Sequence, residues 1–164
     1  MDRVRLGVVG IGGMGGHTAG LVKKGEAPGL ELAAVCDVNP DRLEWARQQF
    51  GAELPACEDA ETLYESGLVD AVYIATPHYL HPPLAIAALR HDLHVLTEKP
   101  AGVYTKQVRA MNAAAKKAGT VFGIMYNQRC NPLHQKLRDL VTAGDLGKIQ
   151  RVNWIITTWF RAQS

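Results

Sequence analysis

Cysteine is scarce in this chain: Cys36, Cys57 and Cys130 are the three in 164 residues, an odd number set far apart. Such a set builds neither a disulfide framework nor a C-x-x-C metal site, and a reducing, cytoplasmic compartment is the default expectation. Long apolar runs are missing too. The longest are of strand length, so no membrane-spanning segment is expected. Met1-Asp2-Arg3-Val4-Arg5 carries charge, but the apolar run behind it soon breaks into glycines, which reads as a first strand and not as a signal peptide. Charge of one sign is not concentrated either. Eighteen basic and 16 acidic side chains leave a formal +2, and no basic stripe with interleaved aromatics occurs, so nucleic acid is a poor partner. No Tyr-x-x-x-Lys and no G-x-x-x-x-G-K-[S/T] is found, which removes short-chain dehydrogenase chemistry and P-loop nucleotide hydrolysis.

What is present is ordinary globular composition, 47% hydrophobic and 21% charged, with one informative motif. Gly10-Ile11-Gly12-Gly13-Met14-Gly15 lies directly behind the apolar run Val4 to Val9, and Asp37 closes a second apolar run 22 residues after Gly15. A G-x-G-x-x-G alone is weak. Between a strand and a helix, with an acid at that distance, it is the context of a dinucleotide-binding fingerprint. Gly10 permits the tight turn, Gly12 lets backbone approach a pyrophosphate, Gly15 allows close helix–strand packing, and the helix N-terminus, through Gly13 and Met14, faces the phosphates. The Asp37 carboxylate would accept from ribose hydroxyls and repel a 2′-phosphate, favouring NAD, with NADP the alternative.

The remaining pattern alternates apolar runs with helical periodicity, as in an α/β doubly wound parallel sheet. Strands are expected at Val4–Val9, Leu30–Asp37, Leu54–Ala56, Ala71–Ala75, His94–Thr97 and Val121–Met125. Helices are expected at Gly13–Lys24, from Asn39-Pro40 to Phe50, Asp59–Ser66, Pro82–His91, Thr105–Ala118 and Pro132–Ala143. Residues 1–125 form the dinucleotide-binding domain in this reading, and 126–147 a connecting segment and helix. The β-branched and aromatic stretch from Lys148 to Phe160 reads as one long strand, with 148–164 opening a second, α+β domain. The natural polypeptide is therefore expected to be longer.

In an open parallel sheet, ligands bind at the carboxyl ends of the strands. After the fourth expected strand comes Thr76-Pro77-His78-Tyr79-Leu80-His81, after the fifth Glu98-Lys99-Pro100, and after the sixth Tyr126-Asn127-Gln128-Arg129-Cys130-Asn131-Pro132. At these residues the chain resembles the Gfo/Idh/MocA oxidoreductases, a family that includes glucose–fructose oxidoreductase and inositol 2-dehydrogenase. Glu98-Lys99-Pro100 is the most specific element of the match. The resemblance implies that Lys99 lies beside the nicotinamide and hydrogen-bonds the substrate hydroxyl, and that Glu98 helps hold the nicotinamide ribose. It also implies that Thr76, Pro77 and His81 line the cofactor cleft, that Asn127 reaches the nicotinamide side with Arg129 close by, and that Lys99–Pro100 is cis. A lysine suits this role on chemical grounds: its ammonium stabilises charge developing on oxygen as hydride leaves, and burial tunes its acidity for that task.

The reaction implied is hydride transfer between NAD(P) and a secondary hydroxyl of a sugar, cyclitol or polyol, in a protein that is a homo-oligomer at full length. The second half of family members supplies substrate contacts and an acid/base histidine, so the 164-residue form is expected to be inactive alone. A non-catalytic dinucleotide-binding sensor or partner module is the alternative. A methyltransferase reading leaves Glu98-Lys99-Pro100 unexplained. The pairs His78/His81 and His91/His94 have no Cys, Asp or Glu partner at a recognisable spacing, so no metal is expected. His17 and His134 read as ordinary helix residues.

Overall fold

The computed structural model describes residues 3–155. Six strands are seen: β1 (Val4–Val9), β2 (Leu30–Cys36), β3 (Ala56–Cys57), β4 (Ala71–Ile74), β5 (His94–Glu98) and β6 (Phe122–Met125). The helices are α1 (Gly13–Lys23), α2 (Pro40–Phe50), α3 (Ala60–Glu65), α4 (His81–Arg90), α5 (Thr105–Lys117) and α6 (Pro132–Ala143). All strand pairs are parallel and the order is β3-β2-β1-β4-β5-β6. The α/β doubly wound arrangement expected from the alternation is the one found. Strand order reverses between β1 and β4, and that switch point is where open α/β sheets bind ligands.

Local chemistry sets the boundaries. Pro40 occupies the first turn of α2, where its missing N–H is no loss, and the Asn39 side chain caps the helix by accepting from the Asp41 N–H at 2.9 Å. Asp59 caps α3 through the Thr62 N–H at 2.9 Å. Asn131 caps α6 through the Leu133 N–H at 2.9 Å, and Gly144 ends that helix in the left-handed conformation, φ 81°. Several element ends shift by one residue, and two departures in the first half have a visible cause. β3 forms at Ala56–Cys57 and not at Leu54–Ala56: Leu54 is packed in the core, and it is Ala56 and Cys57 that register with Val35 and Cys36 of β2. A 3-10 turn at His78–Leu80 leads into α4, which starts at His81, one residue earlier than expected.

Alternating side chains fill two cores. On one face α1 and α2 cover the sheet, with Leu6, Val8, Ile11, Val35, Leu43, Phe50 and Tyr73 packed together. On the other face α3, α4 and α5 pack Val9, Leu63, Val72, Ile74, Leu89, Val95 and Met111. The interior strands are nearly continuous apolar runs because helices sit on both sides.

The chain divides into two units, residues 1–125 and 126–164. In the second, Asn127–Cys130 forms a 3-10 turn and α6 follows. Residues 148–155, expected to begin a long strand, adopt no regular strand. A strand exists by hydrogen bonding to a neighbour, and among the described residues none pairs with this stretch. The remainder of that expected strand, with Trp159, lies outside the described residues, as does Arg161 beyond it. No helix among the described residues is long and apolar enough to cross a membrane.

Candidate functional site

The glycine loop follows β1 at the switch point. Gly10 has φ +91°, a region that side chains rarely adopt, and a Cβ there would come within 2.9 Å of the Ala75 backbone. A Cβ on Gly15 would collide with the Gly10 carbonyl, so α1 can cross this close to β1 only with glycine at that place. Around Gly12 and Gly13 a Cβ would meet nothing within 4 Å, and Gly13 and Met14 are exposed. The loop thus packs tightly on its inner side and is open on the outer side, at the N-terminus of α1, where backbone N–H groups and the helix dipole favour an anion.

Asp37, one residue past β2, is joined to this loop. Its Oδ2 accepts from the Ile11 N–H at 2.7 Å and its Oδ1 from the Asn39 N–H at 2.9 Å. A carboxylate offers about four acceptor positions, so two remain for ribose hydroxyls. The acid therefore also orders the glycine loop, a role that spacing did not reveal.

Thr76 follows β4, and its Oγ1 is buried without a hydrogen-bond partner among the described residues. Pro77 is exposed beside it. His81, expected to line the cleft, is instead fully buried. Its Nδ1 lies 2.8 Å from the Pro100 carbonyl and its Nε2 2.9 Å from the Thr76 carbonyl. The imidazole ties the loop after β4 to the loop after β5 from behind, because the first turn of α4 points it into the protein.

Lys99 is exposed, one residue beyond β5, and the Lys99–Pro100 bond is cis. The burial expected for Lys99 is not seen among the described residues, where it stands one residue past the end of β5. Glu98, expected beside the nicotinamide ribose, is 5% exposed and faces inward. Its Oε1 accepts from the Tyr73 hydroxyl at 2.7 Å and its Oε2 from the Lys99 N–H at 3.0 Å. Burial pushes the Tyr73 phenol well above its ordinary range; a hydrogen bond with Thr18 works against that rise and Glu98 adds to it. Tyr73 therefore stays protonated and donates. Tyr73 was not legible as a site residue, because in sequence it is one more large residue of a buried strand.

Asn127 belongs to the second unit. It is exposed, and its Oδ1 accepts from the next residue's N–H at 2.9 Å. The adjoining Arg129 is exposed, and its carbonyl accepts from Gln135.

His91 does have an acidic partner, contrary to what spacing suggested. Its Nε2 lies 2.7 Å from a Glu61 carboxylate oxygen, and Glu65 brings a third ligand atom so that all lie within 4.8 Å. The fold brings α3 against the end of α4, which sequence separation hides. His94 uses Nδ1 to accept from the Val121 N–H at 2.9 Å. His17 is exposed on α1.

Residues 4–126 match the model of a family described as an oxidoreductase family with an NAD-binding Rossmann fold, GFO_IDH_MocA. The chain belongs to the Gfo/Idh/MocA oxidoreductase family. It is 34% identical to an inositol 2-dehydrogenase of Rubrobacter xylanophilus over 148 residues, 89% of this chain and 42% of that protein. It is 33% identical to a myo-inositol 2-dehydrogenase of Thermotoga maritima, over 88% of this chain and 42% of the relative. Among solved structures, scyllo-inositol dehydrogenase from Lactobacillus casei, crystallised with NAD(H) and scyllo-inositol, superposes with a TM-score of 0.83 at 25% identity. That likeness covers 89% of this chain and 43% of the other. The chain thus spans less than half the length of these relatives, and what it carries is the family's NAD-binding Rossmann domain. The residues present suit a dinucleotide: an open glycine cradle on a helix N-terminus, a carboxylate with acceptor positions left, and the buried, unpartnered Thr76 hydroxyl beside them.

Proposed function

We propose that this chain is the cofactor-binding part of a Gfo/Idh/MocA dehydrogenase that moves hydride between NAD and a secondary hydroxyl of a sugar, cyclitol or related polyol. One observation carries the reading: three neighbouring strands, β1, β4 and β5, deliver the glycine loop, Thr76 and Lys99 to the same edge of the sheet at its switch point. The inositol dehydrogenases among the relatives support the cyclitol class of substrate.

In this reading the amides of Gly12 to Met14 hold the pyrophosphate, and Asp37 holds the adenosine ribose and excludes a 2′-phosphate. The nicotinamide, when bound, accepts or returns the hydride. Lys99 hydrogen-bonds the reacting hydroxyl, and its ammonium stabilises the charge that develops on that oxygen. Its exposure leaves room for a substrate above the strand end. Pro77 borders the cleft.

Fluorescence titration of the chain with NADH and NADPH tests the cofactor assignment. NADH is expected to bind about tenfold more tightly or better, and Asp37→Ala to erase the difference. Tighter NADPH binding by the unaltered chain overturns the role given to Asp37.

A further inference from the structure

The carboxyl end of β5 carries a buried polar arrangement that the cofactor assignment leaves unused. Tyr73 of β4 is 1% exposed. A phenol in that position needs a hydrogen-bond partner, because burying a hydroxyl unpaired is unfavourable. Register provides one. Tyr73 pairs with Leu96 of β5. Glu98 lies two residues further along β5, and the period of two places it on the same face of the sheet as Leu96. The Tyr73 hydroxyl donates to Glu98 Oε1 at 2.7 Å. A carboxylate buried this deeply needs a second donor, and the Lys99 N–H supplies it to Oε2 at 3.0 Å.

That last bond lies where β5 ends. The Glu98 side chain takes over the Lys99 N–H and so sets the direction in which the backbone leaves the sheet. On the far side of Lys99, the Pro100 carbonyl is bound by the buried His81 at 2.8 Å. The backbone on either side of Lys99 is thereby held by two buried side chains, while the lysine itself is exposed. An exposed, flexible side chain is aimed only as well as its backbone is fixed.

We propose that Tyr73 is a positioning residue: through Glu98 it fixes the backbone of Lys99 and so directs the ammonium toward the nicotinamide end of the cleft. The part concerning the nicotinamide rests on the function proposed above. The part concerning the backbone does not.

Tyr73→Phe keeps the ring and removes the donor. Glu98→Gln keeps the shape and replaces one of the two acceptor oxygens with a donor. In each variant of the 164-residue chain, amide hydrogen exchange at Lys99 is expected to quicken about tenfold or more, the worth of a hydrogen bond to a charged group, while Val95 and Thr97 within β5 exchange at their original rates. A residue that merely packs would speed all of β5 together, and that result overturns the proposal, as does an unchanged Lys99 rate. The second measurement compares NADH with ADP-ribose, which lacks the nicotinamide. Tyr73→Phe should weaken NADH several-fold and leave ADP-ribose unchanged. Equal weakening of both ligands, or of neither, overturns the link from Tyr73 to the nicotinamide end. Failure of the unaltered chain to bind NADH at all would instead sink the proposed function, with the exchange rates still deciding whether Tyr73 holds Lys99.

Discussion

Met111 of α5 and Leu137 of α6 sit on the apolar faces of two equally amphipathic helices. Met111 is completely buried, whereas Leu137 is 47% exposed. The difference extends to their surroundings. Residues 4–125 close two cores, one on each face of the sheet, while none of the described residues 126–155 is buried. Leu133, Val141, Ile149 and Trp154 of the second region are all exposed. Periodicity states which side of a helix is apolar. It does not supply the surface that covers it, and in the first region that surface comes from strands and a helix distant in sequence.

The largest effect is expected in the first region. Met111→Ala should lower stability by about 2–5 kcal/mol, as cavities in closed cores do, whereas Leu137→Ala should stay within about 0.5 kcal/mol. Urea unfolding of the two variants measures both. Equal losses would break the comparison by showing that α6 is as well covered in solution as α5.

Thiol reactivity sharpens the same contrast on a smaller scale. Burial pushes the Cys36 thiol up to about 12, with Cys57 and the acids Asp59 and Asp37 adding to the rise. The half-buried Cys57 is raised in the same way, first by burial and then by Asp59. Cys130 is exposed in the second region. Iodoacetamide followed by mass spectrometry should label Cys130 first, Cys57 more slowly, and Cys36 only on unfolding, since the thiolate is the nucleophile. Early labelling of Cys36 would mean that the α3–α5 core opens readily.

The smallest effect concerns ion pairs. The Arg5 guanidinium holds the Asp70 carboxyl below its ordinary value of 3.8, chiefly by side-chain hydrogen bonds, the shorter at 2.6 Å, helped by the Arg5 backbone N–H. A carboxyl lowered in the folded state contributes stability that is complete above its unfolded value and is lost as pH falls through the folded one. Asp70→Asn should therefore flatten the fall in stability below pH 3.8. The change should be slight, because both side chains are well exposed. Asp139→Asn in α6 removes a more exposed pair, with Arg138, and should change stability by less than about 0.5 kcal/mol in urea unfolding.

Much of the fold was legible because its signals are local. The helix caps at Asn39, Asp59 and Asn131, the glycine loop behind β1, and the apolar runs of β1, β4 and β5 all act within a few residues. β3 starts two residues and ends one residue later than its expected span because a two-residue strand is defined by its pairing with β2, which no local pattern records. Lys99 was legible as a candidate from its motif, and so was Asp37 from its spacing. The Asp37 bond to Ile11 was not, because it spans 26 residues across neighbouring strands.

By itself the sequence determined the alternation of strands and helices, the glycine turn and the placing of acid and lysine at strand ends, because dihedral preference, capping and apolar period are written into short stretches of chain. Only the tertiary structure decided which way those side chains face. It turned Glu98 inward onto Tyr73, buried His81 between two carbonyls and brought Glu61 to His91. Those pairings depend on strand order, on parallel register and on which helix crosses which strand, and such contacts between distant residues exist only once the sheet has assembled.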